Sequence, residues 1–139
     1  TYYFLGIAKA SLTEWIVFNA CAPSSIIYLA GFIVFLFFRN RTPLLVATLP
    51  IFFFGGLGLL VFPWSGFNIV AQISHILMML NLIWAAVETF SARDFRAASL
   101  GLIISILIFV PFTGYQQSYV HGHSDAAKRL LGVESRDLK

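Results

Sequence analysis

Apolar residues run almost unbroken through four stretches of the chain, at about 16–38, 44–62, 67–90 and 97–115. Short polar breaks separate them: Arg39-Asn40-Arg41-Thr42-Pro43, Pro63-Trp64-Ser65-Gly66 and Ser91-Ala92-Arg93-Asp94-Phe95-Arg96. Each stretch approaches the roughly 20 apolar residues that cross about 30 Å of hydrocarbon. None alternates as a membrane strand does. The pattern predicts an all-α, polytopic membrane protein with helices at about 12–38, 44–62, 67–90 and 97–115. Short connections make consecutive helices antiparallel neighbours in a four-helix bundle. Residues 1–115 form the transmembrane domain and 116–139 an extramembrane tail.

Local signals refine the ends. Ser11-Leu12-Thr13-Glu14 fits a capping box, which starts the first helix near Leu12 with Trp15 at the interface. Pro23 falls inside that helix and predicts a kink. Residues 2–8 are expected on the membrane surface, because the stretch before Lys9 is too short for a fifth crossing. In the tail, Ser124 caps a short helix over 125–131, with Gly132 as its stop and fraying beyond Glu134. Leu130 and Leu131 beside Lys128 and Arg129 suit a helix resting on headgroups. There is no signal-peptide pattern and no internal repeat, so an inverted-repeat transporter is not expected.

Composition agrees with the pattern. Hydrophobic residues make up 59 % and charged residues 11 % of 139 residues, against about 25 % charged in soluble domains. Mean hydropathy is +0.85. The net charge of +3 is scattered, which gives no nucleic-acid surface. A single cysteine, Cys21, excludes an internal disulfide. Arg39, Arg41, Arg93 and Arg96 lie in the first and third connections, and the second carries no charge. The positive-inside rule then places the arginine connections in the cytoplasm and both termini outside.

Polar residues inside the apolar runs are costly, so they face protein or water. The third helix holds Asn68, Gln72, Ser74, His75, Asn81 and Glu88. At about 100° per residue these fall on two stripes, one with Asn68, Gln72, His75, Met79 and Ala86, the other with Ser74, Met78, Asn81, Ala85 and Glu88. Two polar faces predict that this helix is the most protein-covered of the four. Interhelical hydrogen bonding accounts for most such residues, and Glu88 is expected to pair with Arg93, Arg39 or Arg41. His75 lies at the depth of Asn19, Ser24 and Ser25, which predicts a polar vestibule open to the outside. As a haem ligand, His75 lacks a second histidine in another crossing.

Two further features carry chemistry. His121-Gly122-His123-Ser124-Asp125, if extended, turns His121, His123 and Asp125 to one side, where zinc or copper suits imidazole with carboxylate. Against this stands a hydrated linker with Asp125 in the first turn of a helix. Ala97, Gly101 and Ser105 recur every fourth residue, and Gly55 and Gly56 sit beside three phenylalanines; small residues let helices approach closely.

Three functional classes follow. The first is a non-catalytic, structural or accessory subunit of a larger membrane complex, in contact with lipid and with other subunits or copies of itself. The second is a homo-oligomeric channel or transporter with a polar path along the third helix. The third is a membrane enzyme or metal-binding subunit using the histidine tail. No paired intramembrane carboxylate and no nucleophile beside a base are expected. Glu14 precedes the first crossing, unlike the first-helix glutamate of small multidrug transporters.

Overall fold

The computed structural model describes residues 2–61, 63–66 and 68–131, the side chain of Leu131 excepted. A π-helical turn at Tyr3–Ile7 leads into α1 (Leu12–Phe18) and α2 (Cys21–Phe38). Then come α3 (Thr42–Val46), α4 (Thr48–Pro50), a second π-helical turn (Ile51–Gly55) and α5 (Gly56–Val61). The chain continues with α6 (Asn68–Ser91), α7 (Phe95–Gly122) and α8 (Ser124–Leu131). Among the described residues there is no strand, and α2, α6 and α7 are long and apolar enough to cross a membrane. These three helices mark the chain as a membrane protein. The expected boundaries at Phe62, Phe67, Gly132 and beyond Glu134 lie outside the described residues.

The first run is two helices rather than one kinked helix. Pro23 has no amide hydrogen for the Asn19 carbonyl, and its ring crowds that oxygen. The backbone leaves helical geometry at Asn19 itself (φ −131°, ψ 45°). The Ala22 amide donates to the Asn19 carbonyl instead, at 3.0 Å. The capping box forms at the start of α1: the Glu14 amide donates to Ser11 Oγ at 3.2 Å, and the Ser11 amide donates to Glu14 Oε2 at 2.7 Å.

Pro50 acts on the second run in the same way. It stands four residues after Val46, and the helix breaks at Ala47 (φ −85°, ψ 3°). Freed backbone groups then find side chains, as buried polar groups must. The Leu49 amide donates to Ser105 Oγ at 3.2 Å, and Thr48 Oγ1 donates to the Leu45 carbonyl at 2.6 Å. The π-helical turn ends where the Gly56 amide is shared by the Phe52 and Phe53 carbonyls. The apolar helical segment after the break, Thr48–Val61, is shorter than the three long helices.

α6 begins and ends within a residue of expectation. α7 does not: it runs past Tyr115 to Gly122 and carries Pro111 inside it. Gln116, Gln117 and Ser118 are polar, yet nothing about them stops a helix. Gln116 Nε2 donates to the Val17 carbonyl at 2.6 Å, which ties the extension to α1. At the start of α7, Asp94 Oδ1 accepts from the Ala97 amide at 3.1 Å.

The most covered element is the second run, not the third. No residue from 42 to 51 is exposed. α3 packs on both α2 and α7, whereas α6 meets mainly the π-helical turn and α5. A Cβ on Gly31 would strike the Pro43 carbonyl. A Cβ on Gly101 would come within 2.5 Å of Leu45 Cβ and 3.0 Å of the Thr42 carbonyl. Glycine at these two places is what lets the backbones meet.

Candidate functional site

α6 carries one buried face, made of Gln72, His75, Met78, Ala85 and Thr89. It draws residues from both expected stripes, because neighbours cover the arc between them. Asn81 stands about 180° from Gln72 on a helix turning about 100° per residue. It is exposed, as is Ser74, whose hydroxyl returns to the Val70 carbonyl at 3.0 Å. Within this chain, then, the Asn81 and Ser74 positions are not covered. Asn68 opens α6 and is half-buried.

A polar cluster forms where α6 crosses the start of α2 and the glycines of α5. The His75 residue is 5 % exposed, and its Nε2 lies 3.4 Å from Cys21 Sγ. The thiol can donate to this nitrogen when the ring proton sits on Nδ1. The Cys21 thiol has a second neighbour, the Phe54 carbonyl, at 3.8 Å. Gly58 is packed against the imidazole so closely that a Cβ there would fall on the ring. One turn away, fully buried Gln72 donates from Nε2 to the Leu59 carbonyl at 3.4 Å. That carbonyl belongs to the last turn of α5, and Pro63, four residues on, has no amide hydrogen to offer it.

This cluster overturns the expectation that no nucleophile lies beside a base. Cys21 was legible by position, between Asn19 and Ser24 at the depth of His75. Its type hid it, since cysteine packs as a small hydrophobe. Gly55 faces Met78 and Met79 at ordinary contact distance, and nothing stands within 4 Å of a Cβ on Gly56. Ala97, Gly101 and Ser105 are all buried on α7.

The arginine-bearing connections meet at one end of the molecule. Arg41 Nη2 lies 2.8 Å from Glu88 Oε1, and Nη1 lies 3.9 Å from Asp94 Oδ2. The Arg39 and Arg41 guanidiniums each stand 5.7 Å from the centre of the Phe35 ring. Trp84 meets Phe32 and Phe35 edge-on, which joins α6 to α2 just inside the charges.

At the other end α1, α8 and the α7 extension come together. Arg129 Nη2 reaches Glu14 Oε1 at 2.7 Å. The Ser11 amide holds the Glu14 carboxyl below the usual carboxylate range; partial burial opposes this, and the Ser11 hydroxyl and Arg129 add to it. A cavity of about 410 Å³ opens beside Phe18, Gln116 and His121. The histidine segment is helical rather than extended. His121 lies in the last turn of α7, His123 closes that helix, and Asp125 falls in the first turn of α8. The His123 ring stacks on Tyr119 at 4.0 Å, with Nδ1 donating to the Tyr119 carbonyl at 3.0 Å. Among the described residues, no three His, Cys, Asp or Glu side chains gather as a metal-binding group.

No family model, curated protein or solved structure matches the chain.

Proposed function

We propose that the chain is a small, non-catalytic subunit of a larger membrane assembly and docks other helices on the Asn81 side of α6. One observation carries this reading. Asn81 is the middle of a 24-residue apolar helix, and its carboxamide faces out of the chain with no hydrogen bond among the described residues. A primary amide has two donors and an acceptor oxygen to satisfy. Leaving it in hydrocarbon costs several kcal/mol, whereas a polar group on a facing helix contributes about 0.6–2 kcal/mol. Beside it lies a groove of about 310 Å³ lined by Tyr28, Phe32, Ile51 and Met78. The Tyr28 hydroxyl already donates to the Asn81 carbonyl at 3.2 Å. The long helices also cover little of one another: only 22 %, 22 % and 17 % of their most apolar windows is buried within the chain.

In this reading the broken second run is a fourth crossing. Residues 42–61 reach about 30 Å at about 1.5 Å per residue, the thickness of the hydrocarbon. The arginine end faces the cytoplasm and both termini lie outside. The test is a photo-crosslinking residue at Leu77, exposed one turn before Asn81. Irradiation of native membranes should give adducts with an unlike chain. Adducts with a second copy alone, or with lipid alone, would reject the accessory-subunit reading.

A further inference from the structure

We propose that Arg39, with Phe35 and Trp84 beneath it, seats the headgroup of an anionic phospholipid at the arginine end of the molecule. The seat rests on the membrane character of the chain and not on the accessory-subunit reading, and it works in either leaflet.

Charge leads there first. Two carboxylates, Glu88 and Asp94, stand among Arg39, Arg41, Arg93 and Arg96. Both turn to Arg41, at 2.8 and 3.9 Å. Arg39, Arg93 and Arg96 are exposed and form no ion pair among the described residues. That excess of positive charge calls for an anion. A zwitterionic headgroup brings a cation of its own and leaves the excess in place.

The rings decide which anion. The Arg39 and Arg41 guanidiniums share the buried Phe35 ring, each 5.7 Å from its centre. Arg41 is neutralised and Arg39 is not. Trp84 meets Phe35 edge-on at 5.9 Å and is 40 % exposed. It stands seven residues before the end of α6, about 10 Å along the axis. Phe37 and Phe38, just before Arg39, are exposed as well. A phospholipid supplies both halves of this arrangement: a phosphate that the planar guanidinium holds with two hydrogen bonds, and acyl chains for the rings below. A soluble acidic peptide would satisfy the arginine and leave the indole and phenylalanines to lipid.

The backbone adds a third sign. Arg39 ends α2 in the left-handed region, at φ 54°. Glycine is the usual residue at such a helix end, because a Cβ is strained there. Arginine in its place carries its guanidinium to the rim at a conformational cost.

The test uses the full chain in phosphatidylcholine nanodiscs, in a Trp15→Phe, Trp64→Phe background that leaves Trp84 as the reporter. Phosphatidylglycerol or phosphatidylcholine brominated at the upper acyl carbons is added, and quenching of Trp84 is read. Phosphatidylglycerol should be preferred by about fivefold, which is what one cation near anionic headgroups supplies. The preference should shrink as salt is raised to about 1 M. Arg39→Gln should bring it close to parity, and Arg39→Lys should keep part of it. Lys9→Gln and Lys128→Gln, at the opposite end, should leave it unchanged. Native mass spectrometry of the unmutated chain from an equal mixture of the two lipids should show phosphatidylglycerol retained over phosphatidylcholine, a comparison that needs no variant to fold. Equal quenching and equal retention of the two lipids, or a preference untouched by Arg39→Gln, would overturn the seat.

Discussion

From residue 42 to residue 51 the second run has no exposed position, and it meets α2 and α7 through Gly31 and Gly101, backbone to backbone. From 52 to 61 five of ten residues are exposed, and Gly55 and Gly58 face side chains of α6. One half is held by close packing. The other is half exposed, meets α6 through side chains, and surrounds the Cys21–His75 contact. In hydrocarbon the solvent is as apolar as the side chains, so close approach is what binds helices together. A segment that meets side chains rather than backbone has room for polar chemistry.

Glycine substitutions should break this contrast most sharply. Gly101→Val should destabilise the fold by about 1–3 kcal/mol, the usual cost of overpacking, since Leu45 and the Thr42 carbonyl leave it no space. Gly56→Ala should be neutral or stabilising by under about 1 kcal/mol, because nothing stands near it. Reversible unfolding in mixed micelles measures both, and equal effects would erase the distinction.

Arg41→Gln leaves Glu88 and Asp94 without their cation at a partly buried site. A loss of about 1–2 kcal/mol is expected. Most of it should return in the Arg41→Gln, Glu88→Gln double variant, and an additive pair would show that the charges are not coupled. In the more exposed half, Gly58→Ala should move His75 with a smaller loss of stability. The measurable sign is a faster reaction of Cys21 with a membrane-permeant maleimide; an unchanged rate would mean that the imidazole does not shield the thiol.

The smallest effect is expected from acid. The Glu14 carboxyl is held below its ordinary value of 4.5. Its stabilising contribution is therefore present above that value and lost as pH falls through the lower, folded one. Docking of α8 on α1 should loosen only in that acid range, read as increased proteolysis near Lys128 and Arg129. Loosening near neutral pH would point to a different group.

The sequence showed the long helices well and their interruptions poorly. α6 and the Ser11–Glu14 cap follow from local pattern alone. Pro23 was a visible warning, but the break it causes lies four residues earlier, at the carbonyl its ring crowds; Pro50 repeats the lesson at Ala47. Pro111 shows why proline by itself does not decide, since α7 continues through it. The end of α7 was missed because polarity tells where a bilayer ends, whereas a helix ends at a stop signal, here Gly122. The Cys21–His75 contact joins residues 54 positions apart. No periodicity links them; it depends on a break, a glycine and a crossing being in place together.

The length of α7 has a consequence for shape. Its 28 residues extend about 42 Å at 1.5 Å per residue, about 12 Å more than the acyl region requires. The short α1 and α8 pack against its C-terminal turns, so the added length is braced by protein.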